Sequence, residues 1–241
     1  NLLFSAHGVA PEIRRVARQR RLQAIDATCP LVTKVHLEAV RFAKAGYKIL
    51  LIGHEGHDEV VGTIGEAPEA TILVQDEQQA DRLALPADAP VAYLTQTTLS
   101  VDDADRIIRR LQTRFPQLKG PAKDDICYAT QNRQEAVRAL CAEADLVLVV
   151  GSQNSSNSQR LRELAAERGV AAHLIDGVAD IDPRWFDNVQ TVAVTAGASA
   201  PEEIVQQCLD YLREHHQAEI EIRTVREEAV DFPLPRELRG N

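Results

Sequence analysis

The stretch D-A-T-C-P at residues 26–30 returns as D-D-I-C-Y at residues 124–128, and this return decides the fold. The same features follow each cysteine: an apolar run closed by a glycine 24 residues on, and then two more apolar runs. The glycines are Gly53 and Gly151, and the later runs lie at 71–74 and 91–98 in the first copy and at 171–176 and 191–199 in the second. Self-similarity with a period of about 100 residues indicates an internal repeat. The chain is therefore built from copies of one α/β unit.

The opening run L-L-F-S-A-H-G-V at residues 2–9 resembles the third apolar run of such a copy. His7 then stands where the other copies carry Thr97 and the turn that ends in Ser199. By the logic of the repeat, a preceding copy would place its own cysteine roughly 60 residues before Asn1. The chain also begins with Asn and contains no Met. We therefore expect a fragment that lacks most of a first domain.

Composition limits the class of protein. A chain of 241 residues with 44% hydrophobic residues can bury a sizeable core. The net charge of −9 argues against nucleic acids and anionic membranes as partners, since both need a basic surface. No apolar run approaches the roughly 18 residues of a membrane span. The four scattered cysteines do not resemble a secreted disulfide framework, so we expect a cytoplasmic protein.

Strand-like runs alternate with helical patterns, which is typical of βαβ units and parallel sheets. Helices are predicted from Pro30 to about Gly46, over 77–84, and over 101–114 behind the N-cap Ser100. Beyond Glu214 a charged tail with two late prolines is expected to cross the surface or to pair with a sheet edge. The predicted division is a remnant of a first domain at 1–28, a second domain at 29–123, a third at 124–212 and a tail at 213–241.

The four cysteines fall into two kinds. Cys141 and Cys208 lie within apolar helical stripes, where a free cysteine behaves as a small hydrophobic residue. Cys29 and Cys127 each stand just before a helix among polar neighbours, and a helix N-terminus favours a reactive thiolate. Their spacing is looser than in compact iron–sulfur motifs. A metal-binding role and a structural role therefore both remain open on spacing alone, and the repeat favours the metal.

Two polar turns could bind an anion or move a proton. The turn G-H-E-G-H-D-E at 53–59 places His57 two residues before Glu59, which suits proton delivery; the alternative is a solvated turn. It lacks the H-E-x-x-H spacing of a zinc protease. The turn S-Q-N-S-S-N-S at 152–158 opens a helix and offers hydroxyl, amide and free N–H donors to a phosphate. The alternative for this turn is an ordinary N-cap.

Seven motifs then occur in one order along the chain: S-A-H-G-V, D-A-T-C-P-L-V-T-K-V-H, I-G-H-E-G-H-D-E-V, T-Q-T-T-L-S-V-D-D, K-D-D-I-C-Y-A-T-Q-N-R-Q-E-A-V, V-G-S-Q-N-S-S-N-S and V-T-A-G-A-S-A-P. In this order they resemble the 4-hydroxy-3-methylbut-2-enyl diphosphate reductase family, the last enzymes of the non-mevalonate isoprenoid pathway. The resemblance covers essentially the whole chain. It implies a trefoil of three similar α/β domains, with small parallel sheets, around a central cluster site.

The resemblance also implies a site and a reaction. Cys29 and Cys127 would be two of three cysteine ligands of a [4Fe–4S] cluster whose fourth iron is open to the substrate alcohol, and Glu59 would relay a proton with support from Thr97. The substrate would be bound by His7, His57, Thr97, Thr98, Ser155, Ser156, Asn157 and Ser199. The allylic diphosphate would lose its hydroxyl by two electrons and two protons, giving isopentenyl and dimethylallyl diphosphates, with electrons from flavodoxin or ferredoxin.

One departure from the family pattern qualifies these expectations. The family's first cysteine has no counterpart in this chain, because Cys141 and Cys208 fit helix cores. The chain as given is therefore expected to bind a cluster poorly and to be inactive. Two alternatives stay open: a metal-free diphosphate-binding module with structural cysteines, and an inactive fragment.

Overall fold

The computed structural model describes residues 1–239 and contains eight strands within that range. All strand pairs are parallel, in one sheet of two strands and two sheets of three. The elements are β1 (Leu2–Phe4), α1 (Pro11–Gln19), β2 (Ala24–Asp26), α2 (Pro30–Lys44), β3 (Lys48–Ile52), α3 (Asp58–Glu66), β4 (Thr71–Val74), α4 (Glu77–Arg82), β5 (Val91–Thr95), α5 (Val101–Arg114), α6 (Tyr128–Leu140), β6 (Leu146–Val150), α7 (Ser156–Glu167), β7 (Ala171–Ile175), β8 (Val192–Ala196) and α8 (Glu202–His216), with short 3-10 turns at Val178–Asp180, Pro183–Phe186 and Arg236–Leu238. The α/β class and the small parallel sheets are confirmed.

The two larger sheets have the same topology, which confirms the repeat. Their strand orders are β4-β3-β5 and β7-β6-β8, so the first strand of each copy lies in the middle. Leu50 pairs with Ile72 and Tyr93 in one sheet, and Leu148 pairs with His173 and Val194 in the other. The central strands are continuous apolar runs because helices cover both of their faces. The strand ends therefore remain the places where polar side chains can gather.

The opening residues repeat the later part of the first copy. β1 is followed by α1 and then by β2, which pairs in parallel with β1. In the same way β5 is followed by α5 and by Lys119, which forms a parallel bridge to Ala92. A cysteine follows each time, at Cys29 and at Cys127. The opening run is thus a strand of the kind that the repeat predicts, whereas α1 and β2 were not predicted from the sequence.

The chain divides into two compact units, Asn1–Cys127 with Val230–Asn241, and Tyr128–Ala229. In the first unit one core lies on each face of the β4-β3-β5 sheet, around Val35 on one side and Phe115 on the other. In the second unit two cores flank the β7-β6-β8 sheet in the same way. No helix among the described residues is both long and apolar enough to cross a membrane. The predicted division into three domains and a tail stays a prediction.

Several local predictions are corrected. The helix predicted over 77–84 ends at Arg82, because Pro86 disfavours helical backbone at the residue before it and Leu83 turns toward the core. Cys141 lies one residue beyond α6 and is only half-buried, but it packs against the same core as Val137, as expected of a structural cysteine. Cys208 is fully buried in α8 as expected. In the tail, the 3-10 turn Arg236–Leu238 lies beside β2.

Candidate functional site

Glu59 is the central residue of the first unit's polar site. It lies in the first turn of α3, and the His57 imidazole caps this helix by accepting the Glu59 N–H at 3.2 Å. The side chain is buried, at 1% exposure. Its Oε1 accepts the Thr97 N–H at 2.6 Å, and its Oε2 lies 2.9 Å from the Thr97 hydroxyl. The pKa of Glu59 is raised to about 7, because the effect of burial, helped by nearby Asp125, outweighs the two hydrogen bonds from Thr97 that lower it. A carboxyl with this pKa can give up or take a proton at neutral pH.

The topology of the sheet explains why these two residues meet. β3 and β5 are neighbours in register, with Ile52 beside Thr95, so the segments that follow both strands emerge at one edge. Polar groups at the carboxyl ends of parallel strands form the usual binding edge of such sheets. Thr97 and Glu59 are 38 residues apart in sequence and are joined only through this pairing. The site is therefore a direct product of the parallel sheet.

Two histidines from different segments stand beside this carboxyl. The rings of His7 and His57 lie edge to face with their centroids 5.3 Å apart. His7 is exposed and His57 is partly buried. Burial and the neighbouring His7 lower the pKa of His57, so its ring is neutral near pH 7. Two histidines at the rim of the site can donate hydrogen bonds to an anion without a basic surface.

Thr98 has a partner that the sequence analysis did not name. The buried Gln96 side chain donates to the Thr98 hydroxyl at 2.7 Å and accepts the His54 N–H at 3.0 Å. It thereby ties the turn after β5 to the turn after β3. The sequence motif T-Q-T-T contained this residue, but only the pairing of the two strands gives it a role.

Cys29 and Cys127 begin the two copies and are both partly exposed free thiols. Cys29 is the N-cap residue of α2, yet its sulfur makes no capping hydrogen bond. Its backbone N–H donates to the Ala6 carbonyl at 3.0 Å, and the Cys127 N–H donates to the Thr97 carbonyl at 2.9 Å. Both cysteines are thus fixed by their backbones next to segments that carry His7 and Thr97. Both sulfurs remain available as ligands.

The remaining candidates lie in the second unit, at the ends of β6 and β8. Ser155 caps α7, and its hydroxyl accepts the Ser158 N–H at 3.3 Å, so the N-cap reading of this residue is confirmed. Asn157 is 5% exposed, and neither its amide nitrogen nor its oxygen has a hydrogen-bond partner. Ser156 is partly exposed and Ser199 is exposed. A Cβ on Gly197 would meet the Ser158 side chain, so the two turns are in close contact.

A second buried polar group in the first unit was missed by the sequence analysis. The His36 Nδ1 lies 3.1 Å from the Glu66 carboxylate, which also pairs with Arg14 at 3.4 Å. Arg14 extends the network to Asp26, 3.4 Å away, and Asp26 accepts the Thr28 N–H at 3.1 Å directly before Cys29. The network thus connects α1, β2, α2 and α3 beneath the cysteine.

His36 should make the protein sensitive to acid. Burial, together with Arg14, lowers the pKa of His36 to about 4, below its ordinary value of 6.5. Between these two pH values the unfolded chain binds the proton that the folded chain refuses, so stability falls as pH falls. His36→Asn should be less stable than wild type at pH 7. We expect this difference in the free energy of unfolding to shrink by up to about 3 kcal/mol between pH 7 and pH 4. Urea unfolding across this range measures the difference, and a pH-independent deficit would contradict the assignment.

Among the described residues, no group of three or more His, Cys, Asp and Glu side chains is placed to hold a metal ion. Two thiols at matching places in a repeat nevertheless fit two ligands of a thiolate-bound cluster, because thiolates are the ligands that iron–sulfur clusters use.

Parallel sheets, polar turns at their strand ends and a buried carboxyl with a raised pKa define an α/β enzyme.

Comparison with known proteins identifies the family. The family model described as LytB protein matches residues 1–213, and the chain therefore belongs to the LytB family. A 4-hydroxy-3-methylbut-2-enyl diphosphate reductase of Rhodopirellula baltica is 63% identical over 99% of this chain and 75% of its own length. One of Nocardia farcinica is 54% identical over 99% and 71%. The solved E-1-hydroxy-2-methyl-but-2-enyl-4-diphosphate reductase of Plasmodium falciparum is 39% identical with a TM-score of 0.93, covering 98% of this chain and 75% of that one.

Proposed function

We propose that the protein reductively removes the hydroxyl of (E)-4-hydroxy-3-methylbut-2-enyl diphosphate, in the last step of the non-mevalonate pathway. The allylic C–O bond breaks and the oxygen leaves as water after taking one proton. A second proton and two electrons form the new C–H bond, giving isopentenyl or dimethylallyl diphosphate. The names of the relatives and the order of the motifs support this reaction.

The observation on which the proposal rests is the Glu59–Thr97 pair. A carboxyl with a pKa of about 7 is protonated in a large fraction of molecules at neutral pH, so it can protonate the departing oxygen. Thr97 contacts both carboxyl oxygens and fixes their direction. Because Glu59 is buried, water does not compete for this proton.

Cys29 and Cys127 would provide two thiolate ligands of a [4Fe–4S] cluster. The Cys29 sulfur makes no capping bond that ligation would have to break, and the backbones of both cysteines are already fixed. The cluster, when bound, supplies electrons one at a time and a Lewis-acidic iron for the departing oxygen. The electrons would come from a one-electron donor of the flavodoxin or ferredoxin kind.

The diphosphate would be bound by neutral donors rather than by a basic surface. The rings of His7 and His57 pack edge to face at the first unit's site, and Thr98 is a further proposed donor. In the second unit the unpartnered Asn157 amide and the start of α7 offer further donors. The acidic net charge of −9 is compatible with this scheme because the donors are local. Ser155, Ser156 and Ser199 complete the proposed set.

Solvent deuterium tests the reaction directly. The test uses an extended chain, in which these 241 residues are joined to the quarter of the Rhodopirellula baltica relative that the match leaves uncovered. The extended chain is reconstituted anaerobically with iron and sulfide, supplied with a chemical one-electron donor, and given the allylic diphosphate in D₂O. The same extended chain is used wherever the iron content or turnover of a variant is measured. We expect both isomeric diphosphates, each with one solvent-derived deuterium, because the new C–H bond takes its proton from the solvent. Return of unchanged substrate from protein that contains the cluster would overturn the proposal.

The buried amide of Asn157 provides a test of diphosphate binding. Asn157→Ala should weaken the binding of inorganic diphosphate by about tenfold, because a hydrogen bond to a charged ligand is lost. The free protein should become no less stable, since its amide has no partner to lose. Titration calorimetry measures the first effect and urea unfolding the second. Asn154→Ala, at an exposed position of the same turn, is the matched control, and equal affinities for both variants would refute this role.

The Asn157 amide also supports a second candidate, a diphosphate-binding module that works without metal. This candidate predicts diphosphate binding that is indifferent to iron and to substitution of both cysteines at the copy starts. Calorimetry with and without reconstituted iron separates the two. Binding without any iron uptake by the protein would favour the module.

A further inference from the structure

Side chains of α2, one turn apart, hold the segment that leads to Cys127. The Lys34 ammonium donates hydrogen bonds to the carbonyls of residues 123 and 124, the latter at 3.0 Å. One turn later the Glu38 carboxylate accepts the Ala122 N–H at 3.3 Å. These contacts join residues that are far apart in sequence, about 90 residues for Lys34. They connect the segment before Cys127 to the helix that begins directly after Cys29. The two cysteine segments are therefore joined through α2.

Asp125 extends this connection to the end of β5. Its Oδ1 lies 2.9 Å from the Lys34 ammonium, and its Oδ2 accepts the Thr95 N–H at 2.9 Å. The Asp125 side chain is fully buried, so these two donors replace the water that it has lost. Two residues on, the Cys127 N–H donates to the Thr97 carbonyl. One carboxylate thus contacts the helix of one cysteine and the strand end beside the other.

We propose that the Lys34–Asp125 pair is a positioning device. It holds Cys29, Cys127 and Thr97, the residue that supports Glu59, in fixed positions relative to one another. The inference rests on the proposed function for its purpose, while the contacts themselves are independent of it. A buried pair suits this task because its charges lose much free energy when they separate, so the segments stay in one arrangement. Groups behind the ligands commonly orient metal sites in this way.

The test measures thiol reactivity in the metal-free protein. Lys34→Met removes the ammonium and keeps the aliphatic stem, and Asp125→Asn removes the charge and keeps the shape. Lys48→Met is the matched control, because the Lys48 ammonium also donates to a carbonyl, that of Glu69, at 2.8 Å. Iodoacetamide labelling followed by mass spectrometry gives one alkylation rate for each cysteine. Two substitutions are used so that one poorly folded variant does not decide the outcome.

We expect Cys127 to be alkylated about tenfold faster in both test variants, because its segment opens locally. Cys29 should change in the same direction, and the fully buried Cys208 should stay protected. Lys48→Met should match wild type. An unchanged Cys127 rate would overturn the proposal. So would a parallel rise at Cys208, since that outcome reports global unfolding and a purely structural pair.

A second measurement separates this inference from the proposed function. After anaerobic reconstitution of the extended chain, iron release to a chelator should be faster in Lys34→Met than in wild type or Lys48→Met. If the extended wild-type chain takes up no iron, the proposed function fails while the thiol rates still decide the role of the pair. If the variant and wild type release iron at equal rates, the pair does not position the ligands.

Discussion

Glu59→Gln should abolish most of the activity and at the same time stabilise the protein above neutral pH. The amide keeps the shape and can still accept the Thr97 N–H, but it cannot donate a proton to the departing oxygen. Loss of a general acid typically lowers the rate by about 10²- to 10⁴-fold. Initial rates of product formation at saturating substrate measure this loss, since substrate binding should be little changed.

The stabilisation follows from the raised pKa of Glu59. The folded protein retains a proton up to a pH of about 7, whereas the unfolded chain releases it near 4.5. Stability is therefore lost as pH rises through this window, and a glutamine avoids that loss. The variant should be more stable than wild type by up to about 3 kcal/mol at pH 8 and by almost nothing at pH 4.5. Urea unfolding at both values tests this.

Glu55→Gln is the control for both effects. Glu55 lies in the same turn but is exposed, so its substitution should change neither rate nor stability. A Glu59→Gln variant that keeps wild-type turnover would remove Glu59 from the mechanism. A Glu59→Gln variant that is less stable than wild type at pH 8 would show that burial does not raise the pKa of this carboxyl.

Replacing either copy-start cysteine should remove the cluster. Cys127→Ser and Cys29→Ser keep the backbone bonds that fix these segments but replace the thiolate by a hydroxyl, a poor ligand for iron–sulfur clusters. In the extended chain we expect iron content after reconstitution to fall close to background, and turnover to fall with it. The unfolding midpoint of the metal-free protein should hardly change, because both cysteines are partly exposed free thiols and serine keeps nearly the same shape.

Cys141→Ser is the matched control for the cysteine variants. Cys141 is also half-buried and also stands at a helix end, but it follows α6 instead of preceding a helix. It should retain wild-type iron content. Equal iron loss in all three variants would point to general thiol chemistry, and no loss in any of them would favour the metal-free binding module.

Much of the fold could be predicted because central strands are unusually clear in this sequence. The runs at 49–52 and 146–150 are continuous, apolar and buried, and each is followed by a glycine and a polar turn. Ser100 was recognised as an N-cap from its position alone, and its hydroxyl accepts the Asp103 N–H as expected. The α/β class and the repeat followed from these features.

The predictions failed where tertiary contacts override local pattern. β2 has only three residues and is fixed by its pairing with β1, which the local sequence does not show. The contacts of His36 with Glu66 join residues from different helices, and a single sequence cannot show which helix faces meet. Asp125 was visible in the motif D-D-I-C, but its role depends on Lys34 and Thr95 lying on either side of it. Glu59 was found because its motif is local, while its pKa depends on burial that only the fold reveals.

The most direct measurement is iron uptake and turnover by this chain beside the extended chain, under strictly anaerobic conditions. The extended chain joins these 241 residues to the quarter of the Rhodopirellula baltica relative that the match leaves uncovered. Iron content, absorbance near 400 nm and product formation are recorded for both. We predict a full cluster and conversion of the allylic diphosphate for the extended chain, with little of either for the shorter one, which carries only two of the three expected cysteine ligands. An extended chain that takes up no iron, or that holds a cluster and leaves the substrate unchanged, would contradict the proposed function.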